Sequence, residues 1–122
     1  MESWNLVIVG SGPAALRAAI AAADAGSTPL LLESSGIGSG TSGADIAGLA
    51  ASIDEVSSSG HRDDTISAGG ETTDKVAAAR VCGEALSVLA ELERWGLVLR
   101  RREGGLPHAA KITGHSMPRM TG

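Results

Sequence analysis

Apolar and polar positions alternate between dense blocks and open stretches. Leu6-Val7-Ile8-Val9, entered from Asn5, is an unbroken apolar run of β-preferring residues. Such a run predicts a strand buried on both faces, as in parallel sheets. Gly10-Ser11-Gly12-Pro13 ends it, and Ala14 to Ala25 is almost pure helix former. Pro13 falls in the first helical turn, where its missing N–H costs nothing, and Gly26 sits where a helix stops. Pro29-Leu30-Leu31-Leu32-Glu33 then predicts a second parallel strand. Residues 5–33 have the length and order of a minimal βαβ unit.

Ser34 to Gly48 is rich in Gly, Ser and Thr, with Ile37 and Ile46 isolated in it. This composition suits a flexible linker, or a loop whose backbone approaches a ligand closely. Gly48 to Ile53 predicts a short helical turn, Ser57 to Gly60 a loop, and Asp63 to Ala68 a short helix. Thr73 to Trp95 predicts a long helix, N-capped by Thr73 and stopped by Gly96. Its apolar stripe reads Val76, Ala79, Gly83, Leu86 and Ala90, with Cys82 and Leu89 beside it. Leu97 to Arg101, a Glu103-Gly104-Gly105 turn and Leu106 to Ile112 predict a β-hairpin, interrupted by Pro107. Thr113 to Arg119 has no regular pattern, and no internal repeat is present.

Composition narrows the function classes. The 122 residues are expected to form one domain or a part of one. A net charge of -4 disfavours phosphate-tracking nucleic-acid binding, and two Trp without Phe or Tyr disfavour base stacking. Ala, Leu, Val and Ile must then build the interior alone, which suggests a core that expects more chain. The single Cys82 excludes an internal disulfide and any Cys-based metal cluster, and suits a reducing compartment. Neither a signal peptide nor a transmembrane run is legible, so the cytoplasm is the expected location, free or as a peripheral part of a membrane complex.

The chemistry concentrates in Gly10-Ser11-Gly12-Pro13-Ala14-Ala15, a G-x-G-x-x-A dinucleotide fingerprint. Gly10 permits the tight turn out of the strand, Gly12 lets a pyrophosphate approach the backbone, and Ala15 lets helix and strand pack closely. The helix N-terminus then offers N–H groups and a positive dipole end to phosphate. Glu33 closes the second strand about 20 residues on, where a carboxylate accepts from ribose hydroxyls and repels a 2′-phosphate. FAD and NAD both remain open on these residues; NADP is disfavoured.

The run Leu6 to Ala19, including Leu16-Arg17-Ala18-Ala19, resembles the opening of the succinate dehydrogenase/fumarate reductase flavoprotein family, which includes L-aspartate oxidase. Glu91-Leu92-Glu93-Arg94-Trp95-Gly96 is similar to that family's L-E-R-W-G stretch, and Gly114-His115-Ser116 with Arg119 to its G-G-H-S-x-x-R segment. The resemblance implies an incomplete α/β, Rossmann-like FAD-binding domain. Gly10, Ser11, Gly12, Pro13, Ala14 and Ala15 would form its pyrophosphate turn, Glu33 and Ser34 its ribose end, and Thr41, Ser42 and Gly43 the loop passing the flavin ring. Some members carry a His there that bonds FAD; this chain has Thr41, so non-covalent FAD is implied. The family's A-Q-G-G element is replaced by Asp45-Ile46-Ala47-Gly48.

The family's substrate-binding and proton-donating residues lie further downstream than Gly122. The resemblance therefore implies an N-terminal portion, residues 1–122, of a longer or split oxidoreductase acting on a dicarboxylate. It implies no catalytic residue here and no turnover by the isolated chain. An NAD-binding Rossmann module and a non-enzymatic dinucleotide-binding remnant are the alternatives. Outside the fingerprint, His61 and His108 read as surface loop residues and His115 as a structural or cofactor-neighbouring one. Cys82 reads as a small buried side chain, Arg100-Arg101-Arg102 as a solvated face, and no metal-ligand spacing is found.

Overall fold

The computed structural model describes residues 3–38 and 48–122. The chain divides into two units, Met1–Ile46 and Ala47–Gly122.

In the first unit, β1 (Val7–Val9), α1 (Pro13–Asp24) and β2 (Leu30–Leu32) follow one another. The two strands pair in parallel, with Val7 opposite Leu30, Ile8 opposite Leu31 and Val9 opposite Leu32. The chain therefore folds here as the expected β-α-β unit. Pro13 is the first helical residue and Gly12 the N-cap. At the other end Gly26 adopts φ 79°. Its N–H reaches Ala23 O at 2.9 Å, and that of Ser27 reaches Ala22 O at 2.9 Å. This paired closure needs a left-handed residue after the cap, which glycine adopts without a Cβ penalty.

One expectation fails in β1. Ile8 is buried, but Val7 is 49% and Val9 81% exposed. Strand alternation sends Val7 and Val9 to the face opposite Ile8. In a sheet of two strands that face stays open.

The second unit contains β3 (Leu49–Ala50), α2 (Glu55–Gly69), a 3-10 turn (Gly70–Thr72), α3 (Lys75–Arg94) and β4 (Met120–Thr121). β3 and β4 pair antiparallel, Leu49 with Thr121 and Ala50 with Met120. The segment expected to turn helically at Gly48 is thus a strand, because its partner arrives from the far end of the chain. The small core joins Ala51, Leu89 and Leu99, with Leu49 and Ala85 packed against it.

α2 replaces the expected loop at Ser57 to Gly60 and the short helix at Asp63 to Ala68 with one continuous helix. Asp54 caps it by accepting the Ser57 N–H at 2.7 Å. Its buried residues are Ser57 and His61. With polar side chains on its packed face, the helix carries no apolar periodicity to read. It packs on α3, where the Ser58 hydroxyl donates to Cys82 O at 3.3 Å.

α3 covers most of its expected extent but starts later and turns a different face inward. Asp74, not Thr73, is the N-cap and accepts from Val76 N at 2.9 Å and Ala77 N at 3.0 Å. The Thr73 hydroxyl donates to Ile66 O at 3.4 Å instead. The buried residues are Ala78, Cys82 and Leu89, whereas Val76 is 81% exposed and Leu86 is also exposed. The helix carries two apolar stripes about a third of a turn apart, and packing on α2 selects the one through Cys82. Gly96, at φ 104°, ends it as expected.

The expected hairpin is reduced to its tip. Gly104 and Gly105 turn the chain at positive φ, and Arg101 bridges Pro107. Pro107 has no N–H for a longer ladder, and Ala110 pairs with Met120 instead. Arg100, Arg101 and Arg102 are exposed as expected, with Arg101 paired to Glu93. Among the described residues no helix is long and apolar enough to cross a membrane.

Candidate functional site

The parallel register brings the end of β1 beside the end of β2. Gly10 turns away from β1 at φ 102°, and its N–H donates to Leu32 O at 2.8 Å. That bond fixes the glycine turn against the residue before Glu33. Gly12 follows in extended conformation, at φ -68° and ψ 173°, with no side-chain cap on α1. The Leu16 N–H is bonded to Gly12 O at 3.0 Å. The N–H groups of Ala14 and Ala15, just before it in the first turn, have no intrahelical carbonyl to reach. Their orientation, with the helix dipole, makes this end attractive to an anion. A Cβ built on Gly12 would meet nothing within 4 Å among the described residues. The space over that backbone is open, as close approach of a phosphate requires.

Glu33 stands at the end of β2 and is half-buried. Its Oε2 accepts the Ser11 hydroxyl at 2.7 Å. Its Oε1 accepts the Ser34 N–H at 2.6 Å and the Ser35 N–H at 3.2 Å. The Ser34 hydroxyl adds a bond to Oε1 at 3.2 Å. These bonds, the one from Ser11 foremost, hold the carboxyl below the usual carboxylate range of 4.5. The group is ionised and oriented at neutral pH.

The structure therefore brings Gly10, Ser11, Gly12, Pro13, Ala14, Ala15, Glu33 and Ser34 together in the first unit. Ser34 is turned onto Glu33. Thr41, Ser42 and Gly43, expected to pass the flavin ring, lie outside the described residues, as does most of the Asp45 to Gly48 element.

A second polar cluster, in the other unit, was missed in part. Arg119 is fully buried, and its Nη1 meets Asp64 Oδ2 at 2.5 Å. The same carboxylate oxygen accepts the N–H and the hydroxyl of Ser116, each at 2.8 Å. His61 is buried rather than a surface loop residue, with Nδ1 3.2 Å from Ser52 Oγ. Its ring lies 6.0 Å from that of His115. The G-H-S-x-x-R block pointed to this cluster, but its partners on α2 had no sequence signal. His108 is exposed and Cys82 buried, as expected. No group of His, Cys, Asp and Glu among the described residues is arranged to hold a metal ion.

A family model described as an FAD binding domain matches residues 5–121. Among solved structures, a chain of the Mycobacterium smegmatis Sdh1 complex in the apo form is similar, with a TM-score of 0.89 and 28% identity. That match covers 98% of this chain and 21% of the other. The Sdh1 structure in complex with UQ1 matches with the same score and identity, over 98% of this chain and 20% of that one. The chain thus spans about a fifth of the neighbours it matches. No curated protein matches it.

Proposed function

The chain belongs to the FAD binding domain family, and from that premise we propose that it is the Rossmann-like, FAD-holding portion of an oxidoreductase of the succinate dehydrogenase/fumarate reductase type. The pairing of the open Gly12 backbone with an ionised, oriented Glu33 carries this reading. Ala14 and Ala15 N–H groups, with the positive end of α1, bind the pyrophosphate. Glu33 accepts from the adenosine ribose hydroxyls. Gly10 sets the turn that keeps these two ends of the cofactor in register. Bound FAD supplies hydride chemistry, while the protein contributes binding and orientation.

The flavin would be held without a covalent bond, since Thr41 stands in the sequence where some family members carry the bonding His; Thr41, Ser42 and Gly43 would contribute to its loop. Oxidation or reduction of a dicarboxylate belongs to a longer parent, of which residues 1–122 are the N-terminal part of the FAD domain. The open apolar positions Val7, Val9 and Leu32 support this, since a parallel sheet is normally covered on both faces.

Titration of the purified chain with FAD, followed by flavin fluorescence, tests the reading, with NADH as the competing ligand. Saturable FAD binding that NADH does not displace is expected. Preference for NADH, or no affinity for either, would overturn it.

A further inference from the structure

Ser11 occupies the variable position between the two glycines of the turn, and its side chain faces inward at 2% exposure. A hydroxyl has one hydrogen to donate. The Ser11 hydroxyl has Glu33 Oε2 at 2.7 Å, against 3.3 Å for Gly36 O. The charged and nearer acceptor takes the hydrogen. Its oxygen meanwhile accepts the Gly38 N–H at 3.0 Å. The hydroxyl is therefore engaged on both sides within the chain and retains no hydrogen for a phosphate.

Glu33 shows the complementary pattern. Oε1 faces three donors, from Ser34 N, Ser34 Oγ and Ser35 N, while Oε2 is bonded to Ser11. A carboxylate offers about two acceptor sites per oxygen. Oε1 is crowded, whereas Oε2 takes one donor among the described residues and so keeps acceptor capacity there. Ser11 thus grips the oxygen that still has room for another donor and fixes where it points.

We propose that Ser11 is a positioning residue for the cofactor's adenosine end: it holds Glu33 Oε2 toward a ribose hydroxyl and does not itself touch FAD. This rests on the reading of Glu33 as the ribose carboxylate. It also changes the part played by Ser11, from a member of the phosphate cradle to a strut between that cradle and the ribose end.

Two measurements test it. The first is a carboxyl NMR titration of Glu33 in the ligand-free chain, with and without Ser11→Ala. The Glu33 midpoint should rise toward 4.5 in the variant, because the largest stabilising bond is lost. An unmoved midpoint would overturn the proposal. The second is a double-mutant cycle on FAD affinity. Ser11→Ala should weaken binding about three- to ten-fold. In a Glu33→Ala background the same change should have less than about a two-fold effect. A penalty that persists without Glu33 would mean that Ser11 contacts the cofactor directly, and would overturn the proposal. If the unmodified chain binds no FAD, the functional reading fails and the positioning role with it, while the NMR shift stands. Circular dichroism of both variants separates these effects from unfolding.

Discussion

The Arg119 guanidinium meets the Asp64 carboxylate across 55 positions of sequence, with Nη1 and Oδ2 2.5 Å apart. This pair ties the patternless Thr113 to Arg119 segment to α2. Asp64 also takes both donors of Ser116, and Arg119 Nη2 reaches Ser57 O at 3.5 Å. Arg119 is fully buried, whereas Asp64 is partly exposed and keeps both Ser116 donors, so loss of the guanidinium costs chiefly its own packed and hydrogen-bonded contacts. Arg119→Met should therefore lower the melting temperature of the second unit by at least about 4 °C. Arg119→Lys should not restore it, since an ammonium cannot reproduce the guanidinium fork. Thermal unfolding followed by circular dichroism reads both outcomes.

The same cluster makes stability fall in acid, in two windows. Burial, then the charges of Arg119 and His115, hold the His61 pKa below its ordinary 6.5, against the opposing pull of Asp64. The unfolded chain therefore takes up that proton more readily, and stability declines as pH drops below 6.5. Hydrogen bonds from Ser116, with Arg119, hold Asp64 at about 2 against an ordinary 3.8. Its contribution is present above 3.8 and disappears between 3.8 and about 2. Urea midpoints measured against pH should show both declines. His61→Gln should flatten the first and Asp64→Asn the second; a midpoint that rises in acid would contradict both assignments.

Gly48 has a packing role. A Cβ there would lie 2.7 Å from Thr121 O and 2.8 Å from Met120 Sδ. The first of these atoms is backbone in the paired strand and cannot rotate away. Gly48→Ala should cost about 1–3 kcal/mol through overpacking at the β3–β4 pair. Equilibrium urea unfolding gives the value.

The two fingerprint glycines should separate in their effects. Gly10 is at φ 102°, so Gly10→Ala should destabilise the first unit by about 1–2 kcal/mol. Gly12 has ordinary φ and an open Cβ position among the described residues. Gly12→Ala should leave stability within about 0.5 kcal/mol of the parent while weakening FAD binding at least ten-fold. Melting curves paired with flavin titration check the contrast; equal effects at both positions would show that Gly12 serves only the fold.

Local sequence signals suffice for the β-α-β course of the first unit. Leu6 to Val9, the glycine turn, the alanine-rich helix closed by Gly26 and the strand ending in Glu33 are local signals of run length, turn chemistry and capping. Each element forms, though β1 leaves Val7 and Val9 exposed, and the spacing of Glu33 from Gly10 brings its carboxylate to Ser11. α3 and its stop at Gly96 were legible for the same reason. Tertiary structure alone decided α2, whose buried Ser57 and His61 lack apolar periodicity, and β3, whose partner β4 is remote in sequence. It also chose the Cys82 stripe of α3 over the Leu86 stripe, because two apolar faces are equivalent until a neighbour covers one. Arg119 belongs to this second class: its charge becomes structural only when the fold buries it beside the Asp64 carboxylate.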